Sequence, residues 1–334
     1  MKVLRRGSGE LFMSPDPDEA RASFRKKDRA LVNKVMQVKD AVERFVHDGD
    51  YLAIGGFGAN RIPTSVCHEI VRQGRRNLGF LGHTSTHDFQ ILAAGQCFDR
   101  CDIAYVVGLE ARGLSANARR YLESGKVRVT ENSNYTLSMR IKAAAMGVPF
   151  QVSRNLLGTD TFEKSPSIEL ECPYTGKKYS AHPAIYPDVS AIHVHEADVY
   201  GNARIHGITV SDLDLARASK RLIITAERLI PESEIRRTPD GTDIPFYLVD
   251  AVCEVPYGSY PGCMPGEYYS DEEHLAEWLE AEKDPARLEE FLDSNIRSLT
   301  LFSEYLERHG GIRKMRELRR KELLIKRAQE EDHG

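Results

Sequence analysis

The sequence predicts an α/β fold: an open, mostly parallel sheet flanked by helices, with a helical C-terminal extension. Three observations carry this. Short apolar runs of strand length alternate with segments whose apolar residues recur at helical spacing, the pattern of parallel strands joined by crossover helices. One such run leads straight into a glycine-rich turn, "YLAIGGFGAN" from Tyr51. From Asp271 the chain becomes charged and helical, ending in "GIRKMRELRRKELLIKRAQEEDHG".

The elements follow in order. Residues 1–35 contain "SPDPDEA" and "RKKDR", hold no lasting apolar period, and read as a charged arm with at most a short helix at its end. Residues 36–270 read as the α/β domain, and 271–334 as the extension. Val38, Ala41, Val42 and Phe45 mark a helix that "DGD" breaks. Strand "YLAIGGF" follows, then helix "TSVCHEIVRQG", strand "LGFLG", loop "HTSTHD", helix "FQILAAGQ" and strand "IAYVVG". Next come helix "ANARRYLESG", strand "VRVTE", helix "NYTLSMRIKAAAMG" and a further entry, "VPFQVS". The stretch "LECPYTGKKYSAHPA" reads as a hairpin. The alternation then resumes with strand "VSAIHVHEA", loop "DVYGNAR", helix "SDLDLARASK" and strand "RLIITAE".

Composition narrows the function. The 334 residues suffice for about two domains, and 41% hydrophobic with 8% aromatic content is that of an ordinary soluble enzyme. A net charge of −4 gives no basic field for nucleic acid or an anionic membrane. No apolar run approaches the ~18 residues of a membrane span, and "MKVLRRGSGELF" lacks the plan of a secretory signal. The six cysteines form no C-x-x-C pair, so reduced thiols in a cytoplasmic protein are expected. No repeat of solenoid period is visible.

The candidate sites lie in loops at strand ends. In "GGFGANR", Gly55, Gly56, Phe57 and Gly58 close a strand-to-helix turn where backbone amides can face an anion, and Arg61 adds a cation. The sixth position of a dinucleotide fingerprint is Asn60, not glycine, and no Gly-Lys-Ser/Thr ending is present, so a nucleotide phosphate is disfavoured. His193 and His195 share one strand face and could be joined by Asp198 and His206 around a metal, but half-buried histidines at a strand end are the simpler reading. "GHTSTHD" places Ser85 near His83 and His87, without the G-x-S-x-G elbow of a serine hydrolase. In "TENSN", Ser133 or Asn134 can cap a helix. The basic "RKMRELRRKELLIKR" is followed by "EEDHG" and reads as a solvated helix face.

Several stretches together carry a resemblance: "GGFGANRIP", "AAAMGVPF", "HPAIYPDVSAIHVHEADVYGN", "SDLDLARASKRLIITAERLI" and "ESEIRRTPDGTDIPFYLVDAVCEVPYGSYPG". Over residues 36–310 the chain resembles the α subunit of family I CoA-transferases, in particular that of glutaconate CoA-transferases. The resemblance implies an α/β domain, a β-subunit partner in an α2β2 or α4β4 assembly, and an active site between the two subunits. It implies a coenzyme A thioester and a carboxylic acid, most simply a dicarboxylic one, as substrates, with no bound cofactor, metal, nucleic acid or membrane. In the family a glutamate of the β half attacks the thioester, forming an acyl-glutamyl anhydride and then an enzyme-CoA thioester, which is covalent catalysis. Here Gly82 and His83 stand where that glutamate would be, and Glu131 lies one unit too late. The resemblance therefore implies a chain without its own nucleophile. The turn would offer donors to an acyl oxygen or carboxylate, with His83, Thr84 and Ser85 beside it. Asn134 matches a position that is a glutamine amide in the transferases and a glutamate in a ring-cleaving hydrolase branch. An amide orients a carboxyl but is no general base, which favours transfer. The rival readings are an acyl-CoA hydrolase, ring-cleaving enzyme or decarboxylase on the same scaffold, and a non-catalytic ligand sensor or scaffold protein.

Overall fold

In a computed structural model, residues 2–106 and 112–332 are described, with side chains to residue 325. The described residues form twelve strands: β1 (Lys2–Arg6), β2 (Tyr51–Ile54), β3 (Leu78–His83), β4 (Phe98–Ala104), β5 (Arg128–Glu131), β6 (Phe150–Ser153), β7 (Ile168–Glu171), β8 (Lys178–Pro183), β9 (Val189–Ala197), β10 (Ala203–Arg204), β11 (Arg221–Leu229) and β12 (Ala251–Glu254). The main sheet has the order β12-β11-β9-β2-β3-β4-β5, with every neighbouring pair parallel and β10 antiparallel on β9.

Alternation along each strand builds two cores. Leu52, Ile54 and Ala191 face one layer, with Val42, Val66 and Phe89 from three helices. Tyr51, Ala53 and Ile192 face the other, with Leu137 and Leu215. The extension closes over the first layer: Trp278, Leu288, Leu292 and Ile296 belong to that core.

The sheet's order reverses between β2 and β9. From β2 the chain builds outward to β5, then returns to the other side of β2 with β9, β11 and β12. Crevices of open α/β sheets lie at such a reversal, outside the carboxyl ends of the strands. The glycine turn leaves β2 at that point.

Three expectations are revised. The arm carries a strand, β1, antiparallel to β7, and a helix, Pro17–Phe24, capped by Asp16, whose Ala20 is buried. Lys34 ends it by donating to the carbonyls of Phe246 and Val249 at 2.7 and 2.8 Å. "VPFQVS" is β6, which joins a second, antiparallel sheet of order β1-β7-β8-β6 rather than the parallel one. The hairpin β7–β8, as expected, forms the centre of that sheet and offers β6 a free edge. Of the expected strand "IAYVVG", the observed β4 begins earlier, at Phe98, and ends at Ala104; Val107 and Gly108 lie outside the described residues. Residues 333–334 of the expected C-terminal helix also lie outside them.

Candidate active site

Two loops and a helix start meet at the carboxyl end of β2 and β3. The loop after β2 runs from Gly55 to Arg61. The loop after β3 runs from His83 to Thr86, and the helix Asn134–Met146 begins beside it. The loops are laced together: the Gly58 N–H donates to the Thr84 carbonyl at 2.9 Å, and the Thr86 hydroxyl donates to the Gly58 carbonyl at 2.6 Å. Thr84 is buried with φ of 50°, a left-handed conformation that a β-branched residue seldom takes. Such strain costs ~1–3 kcal/mol and gathers at functional sites.

Ser133 is the helix cap, its Oγ accepting from the Thr136 N–H at 3.1 Å while the Thr136 side chain accepts from the Ser133 N–H. Asn134 is thereby spared capping, and its Oδ1 accepts from the Thr84 hydroxyl at 2.6 Å. His83 is buried beside them. Its Nε2 lies 3.3 Å from the Ser138 hydroxyl, which in turn lies 3.2 Å from the Ser211 hydroxyl. Phe57 meets the His83 ring edge-on at 5.6 Å. Burial holds the His83 imidazole down at about 4, so it is neutral near pH 7. Phe57, Gly58, His83, Thr84, Ser85 and Asn134, all expected from the sequence, are thus neighbours. Ser138 and Ser211 join them without any local signal, because each is an ordinary helix-region serine in sequence.

The glycine turn works differently from the expectation. The amides of Gly55, Gly56, Phe57 and Gly58 donate inward, to the Ala191 carbonyl, Asp212 Oδ1, the Asn60 carbonyl and the Thr84 carbonyl. None of these four donors is left to face an acyl oxygen. A Cβ on Gly56, at φ of 87°, would meet the Asn60 carbonyl oxygen at 2.4 Å, so this glycine is demanded by the turn itself. At Gly58, with φ of 63°, a Cβ would meet nothing within 4 Å, so Gly58 borders the open side.

Arg61 also points inward. It is 1% exposed, its Nη1 lies 2.5 Å from Asp212 Oδ2, and its Nη2 donates to the Ile208 carbonyl at 2.6 Å. The guanidinium is neutralised by Asp212 and serves the turn rather than an incoming anion. Asp212 is the functional neighbour that sequence reasoning missed: 151 positions separate it from Arg61.

The other candidates are occupied. Ser85 bonds Asp88, whereas His87 Nε2 meets the Thr64 hydroxyl at 3.0 Å, so no serine–histidine pair forms in that loop. His193 bonds Thr225 at 2.8 Å and Glu227 at 2.7 Å; His195 bonds the Pro265 carbonyl at 2.8 Å and accepts from the His206 N–H at 3.0 Å. Asp198 accepts three backbone N–H groups, of Tyr200, Gly201 and Asn202. His193, His195 and Asp198 are thus committed to the protein's own bonds, and the His206 ring lies 3.7 Å from Glu196 Oε2.

Residues 35–255 match the family described as coenzyme A transferase. The chain belongs to that family. Its relatives place it among the α-type subunits of heteromeric CoA-transferases. It is 32% identical over 299 residues to the α-type subunit of the glutaconate CoA-transferase of Acidaminococcus fermentans, covering 84% of this chain and 93% of that one. Identity to the corresponding subunit of the 3-oxoadipate CoA-transferase of Pseudomonas knackmussii is 32% over 276 residues, 81% of this chain and 96% of that one. An uncharacterised Archaeoglobus fulgidus protein is 46% identical over 98% of this chain and 74% of its own length. The crystal structure of the Acidaminococcus glutaconate coenzyme A-transferase superposes with a TM-score of 0.79 at 31% identity, covering 83% of this chain and 93% of that one. A variant of the decarboxylase AibA/AibB gives 0.71 at 30% identity, covering 78% and 97%. The family and fold expected from the motifs therefore stand. Among the described residues no helix is long and apolar enough to cross a membrane.

Proposed function

We propose that this CoA-transferase α subunit shapes and polarises the acyl site while a β partner brings the nucleophilic glutamate. The carrying observation is the chemistry at the carboxyl end of β3. The groups gathered there are neutral: the Thr84 hydroxyl, the Asn134 amide, the unprotonated His83 ring and the Ser138 hydroxyl. The nearby carboxylates are already committed, Asp212 to Arg61 and Gly56, Asp88 to Ser85 and the Thr86 N–H. Such a surface can orient an acyl or carboxyl oxygen through neutral donors, and it would not repel an incoming glutamate from another chain.

The substrates follow as acyl-CoA plus a carboxylic acid, with a dicarboxylic acid favoured because glutaconate and 3-oxoadipate name the acids of two relatives. A hetero-oligomer of α2β2 or α4β4 form fits, as does a cytoplasmic setting for six unpaired cysteines. The test is mass spectrometry of the complex after incubation with acyl-CoA. A CoA adduct on a glutamate of the β partner, and no transfer by this chain alone, are expected. An adduct on this chain, or transfer by it alone, would overturn the proposal. The similarity to a decarboxylase gives the second reading its support: steady loss of carbon dioxide without any adduct would establish that reading instead.

A further inference from the structure

The C-terminal helices bring together two histidines and a glutamate that the reaction does not use. His274 and Glu277 stand three apart on the helix Glu272–Ala281, so both face one side. His309 closes the helix Phe302–Arg308. The imidazole centroids of His274 and His309 are 3.7 Å apart. One nitrogen or oxygen from each of the three residues lies within 4.8 Å of the others, the one such group among the described residues.

The hydrogen bonds fix which nitrogens are available. Asn295 Nδ2 donates to the Phe291 carbonyl at 3.0 Å, so its Oδ1 faces His309 Nε2, at 2.8 Å. That Nε2 must carry the proton, which leaves a lone pair on His309 Nδ1. On His274, Nε2 lies 2.5 Å from the Tyr305 hydroxyl and Nδ1 lies 2.9 Å from Glu277 Oε2. Each ring therefore has its far nitrogen held by an oxygen, as metal-ligating histidines almost always do. The Glu277 side chain is 61% exposed, which leaves it free to move and opens a route from solvent. The neighbouring cation, Lys314, is engaged by Glu273 at 2.9 Å and by Asp271 at 3.4 Å.

We propose that His274 Nδ1, His309 Nδ1 and the Glu277 carboxylate form a divalent zinc site that fastens the C-terminal helices together. Two imidazoles and a carboxylate are ligands zinc accepts, with water in the fourth position. Zinc bonds of ~2.0–2.1 Å set tetrahedral ligand atoms roughly 3.3 Å apart, so ligand atoms up to 4.8 Å apart must close by as much as about 1.5 Å, a movement to which the exposed glutamate contributes. On binding, the His274 proton sits on Nε2 and Tyr305 changes from donor to acceptor, so the coordination needs no net proton release from this ring. The site shares no residue with the candidate active site and does not depend on its chemistry.

The experiment uses the full chain, stripped with a chelator and titrated with zinc chloride alone, reading calorimetric binding and thermal midpoint. The expected result is one equivalent bound at micromolar Kd or tighter, with a midpoint that rises with zinc. Glu277→Gln and His309→Gln, both at partly exposed positions, should weaken zinc at least about 10-fold, and Asn295→Ala about 10–100-fold through the lost orientation of His309. Absence of saturable binding up to about 100 μM, or variants that bind zinc as the parent does, would overturn the proposal; the cluster would then be a hydrogen-bonded joint only.

Discussion

Removing the Arg61–Asp212 pair tests whether the arginine belongs to the turn or to the substrate. Both side chains are almost wholly buried, at 1% and 2% exposure, and Asp212 also accepts the Gly56 N–H at 2.9 Å. Arg61→Met leaves Asp212 buried without its cation, and Asp212→Ala leaves the guanidinium unpaired and the Gly56 N–H without an acceptor. Breaking one side of such a pair costs ~3–5 kcal/mol, and an orphaned buried donor adds ~1–3 kcal/mol. Asp212→Ala should therefore cost about 4–8 kcal/mol, and Arg61→Met about 3–5 kcal/mol. The double change Arg61→Met with Asp212→Asn removes both charges and keeps an oxygen for Gly56, so it should cost less than either single. Urea unfolding of the parent, Arg61→Met, Asp212→Asn and the double, followed by circular dichroism, gives the cycle, with Asp212→Ala measured alongside. The reasoning is refuted if Arg61→Met is within about 1 kcal/mol of the parent while the complex loses substrate affinity. That outcome would return Arg61 to the role of an anion ligand.

Three further outcomes are expected. Gly56→Ala should destabilise the chain sharply, because its Cβ would sit 2.4 Å from the Asn60 carbonyl oxygen, whereas Gly58→Ala meets no atom within 4 Å and should cost only ~1–2 kcal/mol for its backbone conformation; thermal midpoints that rank the two the other way would contradict the turn geometry. Asn134→Ala should slow turnover of the α–β complex by roughly 10–10³-fold, as when a positioned donor is lost, with adduct formation still detectable; unchanged kcat would confine Asn134 to holding Thr84. Burial lowers His83, His182 and His195 to about 4 and His87 to about 3, below the unfolded value of 6.5, so the unfolded chain binds more protons and stability is lost as pH falls from about 6.5 towards 4. Burial also lowers His68, His274 and His309, whereas Asp88, raised by burial to about 6, and Glu282, also raised by burial, act in the opposite sense and are outnumbered. A thermal midpoint that holds level from pH 7 to 4.5 would contradict this balance.

The sequence by itself determined what depends on neighbours along the chain. The apolar runs of β2, β3, β9 and β11, the hairpin β7–β8, a helix cap at Ser133 or Asn134 and the tight turn at Gly55–Gly58 are local: periods of two and 3.6, and a φ that glycine tolerates, can be read within a dozen residues. The cluster of Phe57, Gly58, His83, Thr84 and Asn134 was legible for a related reason, since strand ends of a parallel sheet collect at one edge. Only the tertiary structure decided which groups bond across it. Arg61 finds Asp212 at a separation of 151 residues, and Thr84 finds Asn134 at 50. Whether the turn's amides face a ligand or the protein follows from strand order, because β9 beside β2 supplies the Ala191 carbonyl and the helix after it supplies Asp212. The same holds for β6, which reads like one more parallel strand yet pairs antiparallel with β8, and for His274 and His309, which share no motif. Periodicity specifies which face of an element is buried, but the partner on that face is chosen by packing free energy summed over the whole chain, which no local pattern records.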